Sequence, residues 1–120
     1  MLLRFFFLVI LSSTSVLSVA SQSFKIFLKG DKEGLKSNDQ IVISAAYDHL
    51  GWSSASQTPF GKLIGYQAGN KWGLVSTDGK VVTSPTYYRL EPFDDQYIKA
   101  SIKGSFSNLL FNGLIDKQGK

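Results

Sequence analysis

Cysteine is absent from the 120 residues, histidine occurs once and proline three times. Without cysteine there is no disulfide, no thiolate metal site and no lipidated N-terminal Cys, although that absence suits any compartment. A single imidazole, His49, does not make a zinc site of the usual composition. No glycine-rich phosphate cradle is present, the Asp-containing turns lack the ligand density of a calcium loop, and no serine sits in a nucleophile elbow. Net charge is only +4, and the bases are scattered from Lys25 to Lys120 with acids between them. No phosphate-tracking patch is visible, so nucleic-acid binding is not expected. Nothing here calls for a cofactor, a metal or a catalytic residue.

What the sequence does contain begins with an address. Met1-Leu2-Leu3-Arg4 is a short cationic start, followed by the apolar run Phe5 to Leu11 and a serine-rich stretch ending in Ser18-Val19-Ala20. Small residues at the positions read by signal peptidase complete the three-part pattern of a secretory signal. A spanning helix needs about 20 predominantly apolar residues, and this run breaks at Ser12-Ser13-Thr14-Ser15. Residues 1–20 are therefore read as a signal peptide and 21–120 as the exported chain, whether periplasmic, cell-surface or extracellular. No membrane span is expected after cleavage.

The second feature is a repeat. Gly34-Leu35 recurs as Gly73-Leu74 and as Gly113-Leu114, at offsets of 39 and 40. Tyr47 and Leu50 recur as Tyr87 and Leu90. The change of offset falls in one turn, where Ser37-Asn38-Asp39-Gln40 is a residue shorter than Ser76-Thr77-Asp78-Gly79-Lys80. Ordered landmarks at a constant period mark repeated supersecondary units.

Each unit reads as β structure. Lys62 to Ala68 is a strand ended by the turn dipeptide Gly69-Asn70; Lys71 to Ser76 follows, then Asp78-Gly79 and the β-branched run Lys80-Val81-Val82-Thr83. Pro85 closes that third strand because it has no N–H to give a central ladder. By the same grammar Phe24 to Lys29 opens the first unit, and Tyr97 to Lys103 opens the third, extended by an insertion through Gly104 and Asn108. The last copy, Phe111 to Lys120, stops at its turn, giving about two and a half units.

The middle copy, Lys71-Trp72-Gly73-Leu74-Val75 with Asp78-Gly79-Lys80-Val81-Val82 and Pro85-x-Tyr87, resembles the bacterial WG repeat, named for its Trp-Gly pair. The resemblance extends over roughly 24–120. Glu33 and Asn112 replace the Trp in the outer copies, and Ala46 stands where Pro85 predicts a proline. The resemblance implies a repetitive β-sheet scaffold without catalytic residues, used in binding or as an accessory. Gly34, Leu35, Trp72, Gly73, Leu74, Gly79, Pro85, Tyr87, Gly113 and Leu114 are accordingly read as fold determinants. A strand glycine leaves a gap that a neighbouring aromatic covers, which suits a packing role for Gly73 and Trp72.

The expected fold is all-β: antiparallel meanders stacked as an array or, alternatively, as a partial propeller. His49, at the position Arg89 takes in the next unit, is expected to be exposed. Glu91, Asp94 and Asp95 are the densest acids; neighbours on a strand point to opposite faces, so a solvated turn suits them better than acid–base catalysis. The long segment Gly51 to Phe60 holds Trp52 among small polar residues, which makes Trp52 the best single candidate for contact with a ligand or partner. The expected function is a secreted, non-enzymatic binding module for a protein or an envelope glycan. The alternative is a structural accessory, or a stub of a longer array, that associates with another chain through an edge strand.

Overall fold

A computed structural model describes residues 23–104 and 109–120. The signal-peptide reading of residues 1–20 lies outside the described residues, as do residues 105–108 of the insertion. Among the described residues all the regular structure is β: β1 (Phe24–Lys29), β2 (Lys32–Ser37), β3 (Gln40–Tyr47), β4 (His49–Leu50), β5 (Leu63–Ala68), β6 (Lys71–Ser76), β7 (Arg89–Pro92), β8 (Ile98–Lys103) and β9 (Leu110–Ile115). They form three antiparallel three-stranded sheets, β1-β2-β3, β4-β5-β6 and β7-β8-β9, called A, B and C below. Among the described residues no helix is long and apolar enough to cross a membrane.

The turns set the period. Lys29 pairs with Lys32 and Ala68 with Lys71, leaving the two-residue loops Gly30-Asp31 and Gly69-Asn70. Gly69 has φ 66°, the left-handed value that the first central residue of such a hairpin needs. The offset change is a change of turn type. Asn38 and Asp39 both take positive φ in a two-residue turn, whereas Gly79, at φ 98°, closes a longer loop in which Ser76 N donates to Lys80 O at 2.8 Å.

Ladder register aligns equivalent positions of the three units. Tyr66 pairs with Gly73 as Phe27 pairs with Gly34 and Ala100 with Gly113. Glu33 pairs with Tyr47 as Trp72 bridges Tyr87, and Lys36 pairs with Ile41 as Val75 bridges Val81. Counting back from Tyr47 puts Ala45, not Ala46, at the position of Pro85, because the offset has already become 40 by that point.

The third strand of the middle unit departs from expectation. In sheet A, β3 runs unbroken, with bulges against β2. Its counterpart after Gly79 is reduced to isolated bridges at Val81 and Tyr87. Two causes are visible. Pro85 cannot donate to the ladder. Thr83 also puts its side chain where a backbone carbonyl would be: Leu74 N donates to Thr83 Oγ1 at 2.9 Å, while Val82 N and Thr83 N both donate to Leu74 O. That leaves Thr83 O to accept the Tyr66 hydroxyl at 2.8 Å.

Two cores lie between the three sheets. Leu35, Ile43, Leu50, Ile64, Tyr66 and Val75 are buried between A and B, with Phe24 and Ile26 beside them. Trp52, Leu63, Trp72, Leu74, Leu90, Ile98 and Ala100 are buried between B and C. Strand alternation requires this arrangement, since a central sheet must send Leu74 to one side and Val75 to the other. The sheets are thus stacked layers, each unit burying what its neighbour leaves open.

Candidate binding groove

Trp52 is not the contact residue that its polar sequence neighbours suggest. It is 1% exposed, lies in the core between sheets B and C, and donates its Nε1–H to Thr58 O at 2.8 Å. The segment around it folds back on itself, with Trp52 N donating to Ser56 O and Ala55 N to Trp52 O. Its small residues allow that tight return and lend the indole no exposure. Burying so large an apolar surface outweighs whatever an exposed ring would gain by waiting for a ligand.

The other singled-out residues are placed as follows. Leu35 and Leu74 are buried in successive cores, Tyr87 packs half-buried on the second, and Trp72 is almost fully buried. A Cβ on Gly34 would come within 2.6 Å of the Phe27 ring, and one on Gly73 within 2.7 Å of Tyr66, so a cross-strand aromatic covers each gap. At Gly113 the partner is Ala100, and a Cβ there would meet nothing within 4 Å. Pro85 sits in an exposed bend. Asp94 does turn-building work, accepting from Gln96 N at 2.9 Å and Tyr97 N at 2.8 Å. Among the described residues no three His, Asp or Glu side chains are grouped to hold a metal ion.

His49 is half-buried rather than exposed. Its Nδ1 lies 3.1 Å from Glu33 Oε1, and its ring stands edge-on to Trp72 with centroids 5.7 Å apart. Glu33, which replaces Trp at the repeat position, also accepts the backbone N–H of Leu50 at 2.7 Å. The carboxylate therefore ties the start of the second unit to the first, a role the indole does not fill in the next unit.

A groove of about 530 Å³ lies at the junction of the second and third units. Ser53, Gln67, Asn70, Lys71, Trp72, Tyr88, Arg89 and Lys103 line it. Lys71 follows the Gly69-Asn70 turn at the start of β6. Arg89 opens β7 opposite Ser101, and Lys103, two residues along β8, shares that face. Arg89 and Lys103 both lie over the Tyr88 ring, at 5.9 and 5.5 Å from its centroid, so the aromatic holds two cations side by side. Ser53 is committed elsewhere: its hydroxyl donates to Leu90 O and accepts from Leu90 N, both at 2.9 Å.

The junction before it, between the first and second units, uses the same positions differently. Lys32 stands where Lys71 does, Asp48 where Tyr88 does, Glu33 where Trp72 does, and Gly69 where Lys103 does. There the cation is neutralised, Lys32 forming an ion pair with Asp48. The Lys32 ammonium and the backbone N–H of Gly69 hold the Asp48 carboxyl below its usual range. In the second junction both acids have become aromatics and a further lysine has been added. Among the described residues, no ion pair engages Lys71, Arg89 or Lys103.

The two ends of the stack differ in a comparable way. Lys25 and Lys36 on sheet A occupy the positions of Ile64 and Val75 on sheet B, and of Ile98 and Ile115 on sheet C. Its outer face is therefore solvated by ammonium groups, with Lys36 lying 5.2 Å from the Phe27 ring centroid. Sheet C carries a single ammonium group there, Lys99, which pairs with Leu114. Leu114 is 48% exposed where its counterparts Leu74 and Leu35 are 0% and 1% exposed, and Phe93 lies exposed beside it.

Stacked three-stranded meanders in register, with a side-chain groove at a unit junction, define a tandem β-repeat protein. Residues 72–105 match the family described as WG containing repeat, a segment running from Trp72 through β7 and β8. The matched segment begins at the Trp72-Gly73 pair that carries the resemblance. No curated protein and no solved structure matches it.

Lys71, Tyr88, Arg89 and Lys103 escaped the reading from sequence because the three cations lie on three different strands, with Tyr88 in the bend before one of them, and stand far apart along the chain. A signal was present, since aligning the units position by position shows acid-to-aromatic exchanges at Trp72 and Tyr88. Only the ladder register reveals that those exchanges border one cavity.

Proposed function

We propose that this chain is an exported, non-catalytic binding module whose contact surface is the groove between its second and third repeat units. The observation that carries this reading is the concentration of Lys71, Arg89 and Lys103 around Tyr88, next to a junction where the equivalent cation is neutralised. Charges brought together without counter-charges cost self-repulsion, and a scaffold has no use for them. Export rests on the signal pattern ending at Ala20, and a secreted product should begin at Ser21 on N-terminal sequencing. The test of the groove is a screen of soluble saccharides and peptides against the isotopically labelled full chain. Ligands should shift the amides of Gln67, Asn70, Lys71 and Arg89, and should be lost when Arg89 and Lys103 become Gln. Ligands that shift only residues outside the groove, or any that are chemically turned over, would refute the proposal.

The uncovered face of sheet C favours a second role, self-association. The occupant proposed is a second copy, meeting the first through β9 and the face carrying Leu114 and Phe93. The strand Leu110–Ile115 bears no charge, so two copies can pair antiparallel about a two-fold axis without opposing like charges. An uncharged apolar edge of this kind is prone to pairing. Sedimentation should show a concentration-dependent dimer that Leu114→Lys returns to monomer. A monomer at every concentration would rule the pairing out.

A further inference from the structure

We infer that the groove takes an acidic saccharide, a short chain of sugars carrying carboxylates; this rests on the groove being the contact surface. Three cations from β6, β7 and β8 converge on it, and no acidic side chain lines it. Cation–carboxylate hydrogen bonds are the stronger class of polar contact, and the planar Arg89 fork can donate two N–H groups to one carboxylate at once. Beside the cations stand the amides of Gln67 and Asn70, which offer donors and acceptors suited to sugar hydroxyls. A volume of about 530 Å³ suits a short oligosaccharide rather than a single ion.

Comparison of the two junctions gives the inference its direction. Where the first junction has Asp48 against Lys32, the second has Tyr88, so the fold itself shows a carboxylate held by the lysine at this position and by the residue that Lys103 replaces. The ligand's carboxylate takes the place that Asp48 holds one unit earlier. A nucleic-acid strand fits less well. The Tyr88 face on which an unstacked base would lie already carries Arg89 and Lys103, and three cations in one hollow do not make a track along a backbone.

The experiment titrates the labelled full chain with a galacturonic acid trimer, with its methyl ester, and with a single-stranded oligonucleotide. The trimer should shift Asn70, Lys71 and Arg89. Esterification keeps the hydroxyls and removes the charge, and should weaken binding by about tenfold or more, as loss of a charge-assisted contact does. Added salt should weaken the acid form only. Tyr88→Asp should reproduce the first junction and weaken the trimer by a similar factor; Lys103→Gln, at an exposed position, serves if that variant does not fold. Equal binding of ester and acid would overturn the charge argument while leaving the groove as a contact surface. Tighter binding of the oligonucleotide would overturn the saccharide assignment. If neither saccharide moves the groove amides, the inference fails, and the wider screen decides whether the groove reading falls with it.

Discussion

Trp52→Ala should unfold this protein or bring it close to unfolding. The indole is 1% exposed and sits among Leu63, Leu74 and Leu90 in the core that joins sheets B and C. Truncating a buried Trp typically costs about 3–5 kcal/mol, through lost transfer energy and the cavity left behind. A domain of this size has only about 5–15 kcal/mol in total. The site cannot collapse easily, because the backbone around it is held by Gly51 N donating to Gly65 O at 2.7 Å and Ser53 N to Leu90 O at 2.9 Å. Thermal unfolding followed by far-UV circular dichroism should therefore show a large fall in midpoint, or no folded baseline at all. Trp52→Phe should lose less, since it keeps most of the apolar volume and gives up the hydrogen bond to Thr58 O. Retention of the parent midpoint by Trp52→Ala, to within about 0.5 kcal/mol, would show that the indole is not a core element.

The second large effect separates two glycines at the same repeat position. Gly73→Ala should cost about 1–3 kcal/mol, the usual range for overpacking. Its Cβ would stand 2.7 Å from the Tyr66 ring and 2.8 Å from the carbonyl oxygen of Thr83. The ring could shift, but that carbonyl is backbone, tied to the Tyr66 hydroxyl and to the bend over Leu74. Removing Tyr66 as well should therefore fail to restore stability. Gly113→Ala should instead be neutral or stabilise by a few tenths of a kcal/mol, because a strand glycine costs entropy and a Cβ there meets nothing within 4 Å. Denaturant midpoints of the two variants test the pair. Equal losses at both positions would mean that the motif glycine serves the backbone alone and not the aromatic cover.

Those glycines show how far the fold was legible in the chain. Their recurrence, together with turn dipeptides such as Gly69-Asn70, places β1, β5, β6 and β8 within a residue of their observed bounds. Such elements are encoded locally, by alternation and by turns that only certain residues can make. The third strand of the middle unit was not legible. Val81-Val82-Thr83 has the composition of a strand, yet Thr83 spends its side chain on Leu74 and Pro85 withholds a donor. His49 failed for a related reason. Its sequence counterpart Arg89 is exposed, while His49 is drawn in by Glu33, a partner on another strand.

The candidate site was less legible still. Trp52 draws attention because aromatics among serines often face solvent, and the fold answers by turning its loop inward. Lys71, Arg89 and Lys103 draw none, because the intervals between them contain ordinary strands. Whether three cations form a site depends on the distance between side chains in space, and spacing along the chain is blind to it.

By itself the sequence determined the repeat, its period, its all-β character and the glycines at the hairpins, since each follows from interactions among residues close together along the chain. Only the tertiary structure decided which aromatics are core, which strand breaks, and which charges meet. Those outcomes depend on how one sheet lies on the next, where Asp48 neutralises a lysine at one junction and Tyr88 gathers cations at the following one.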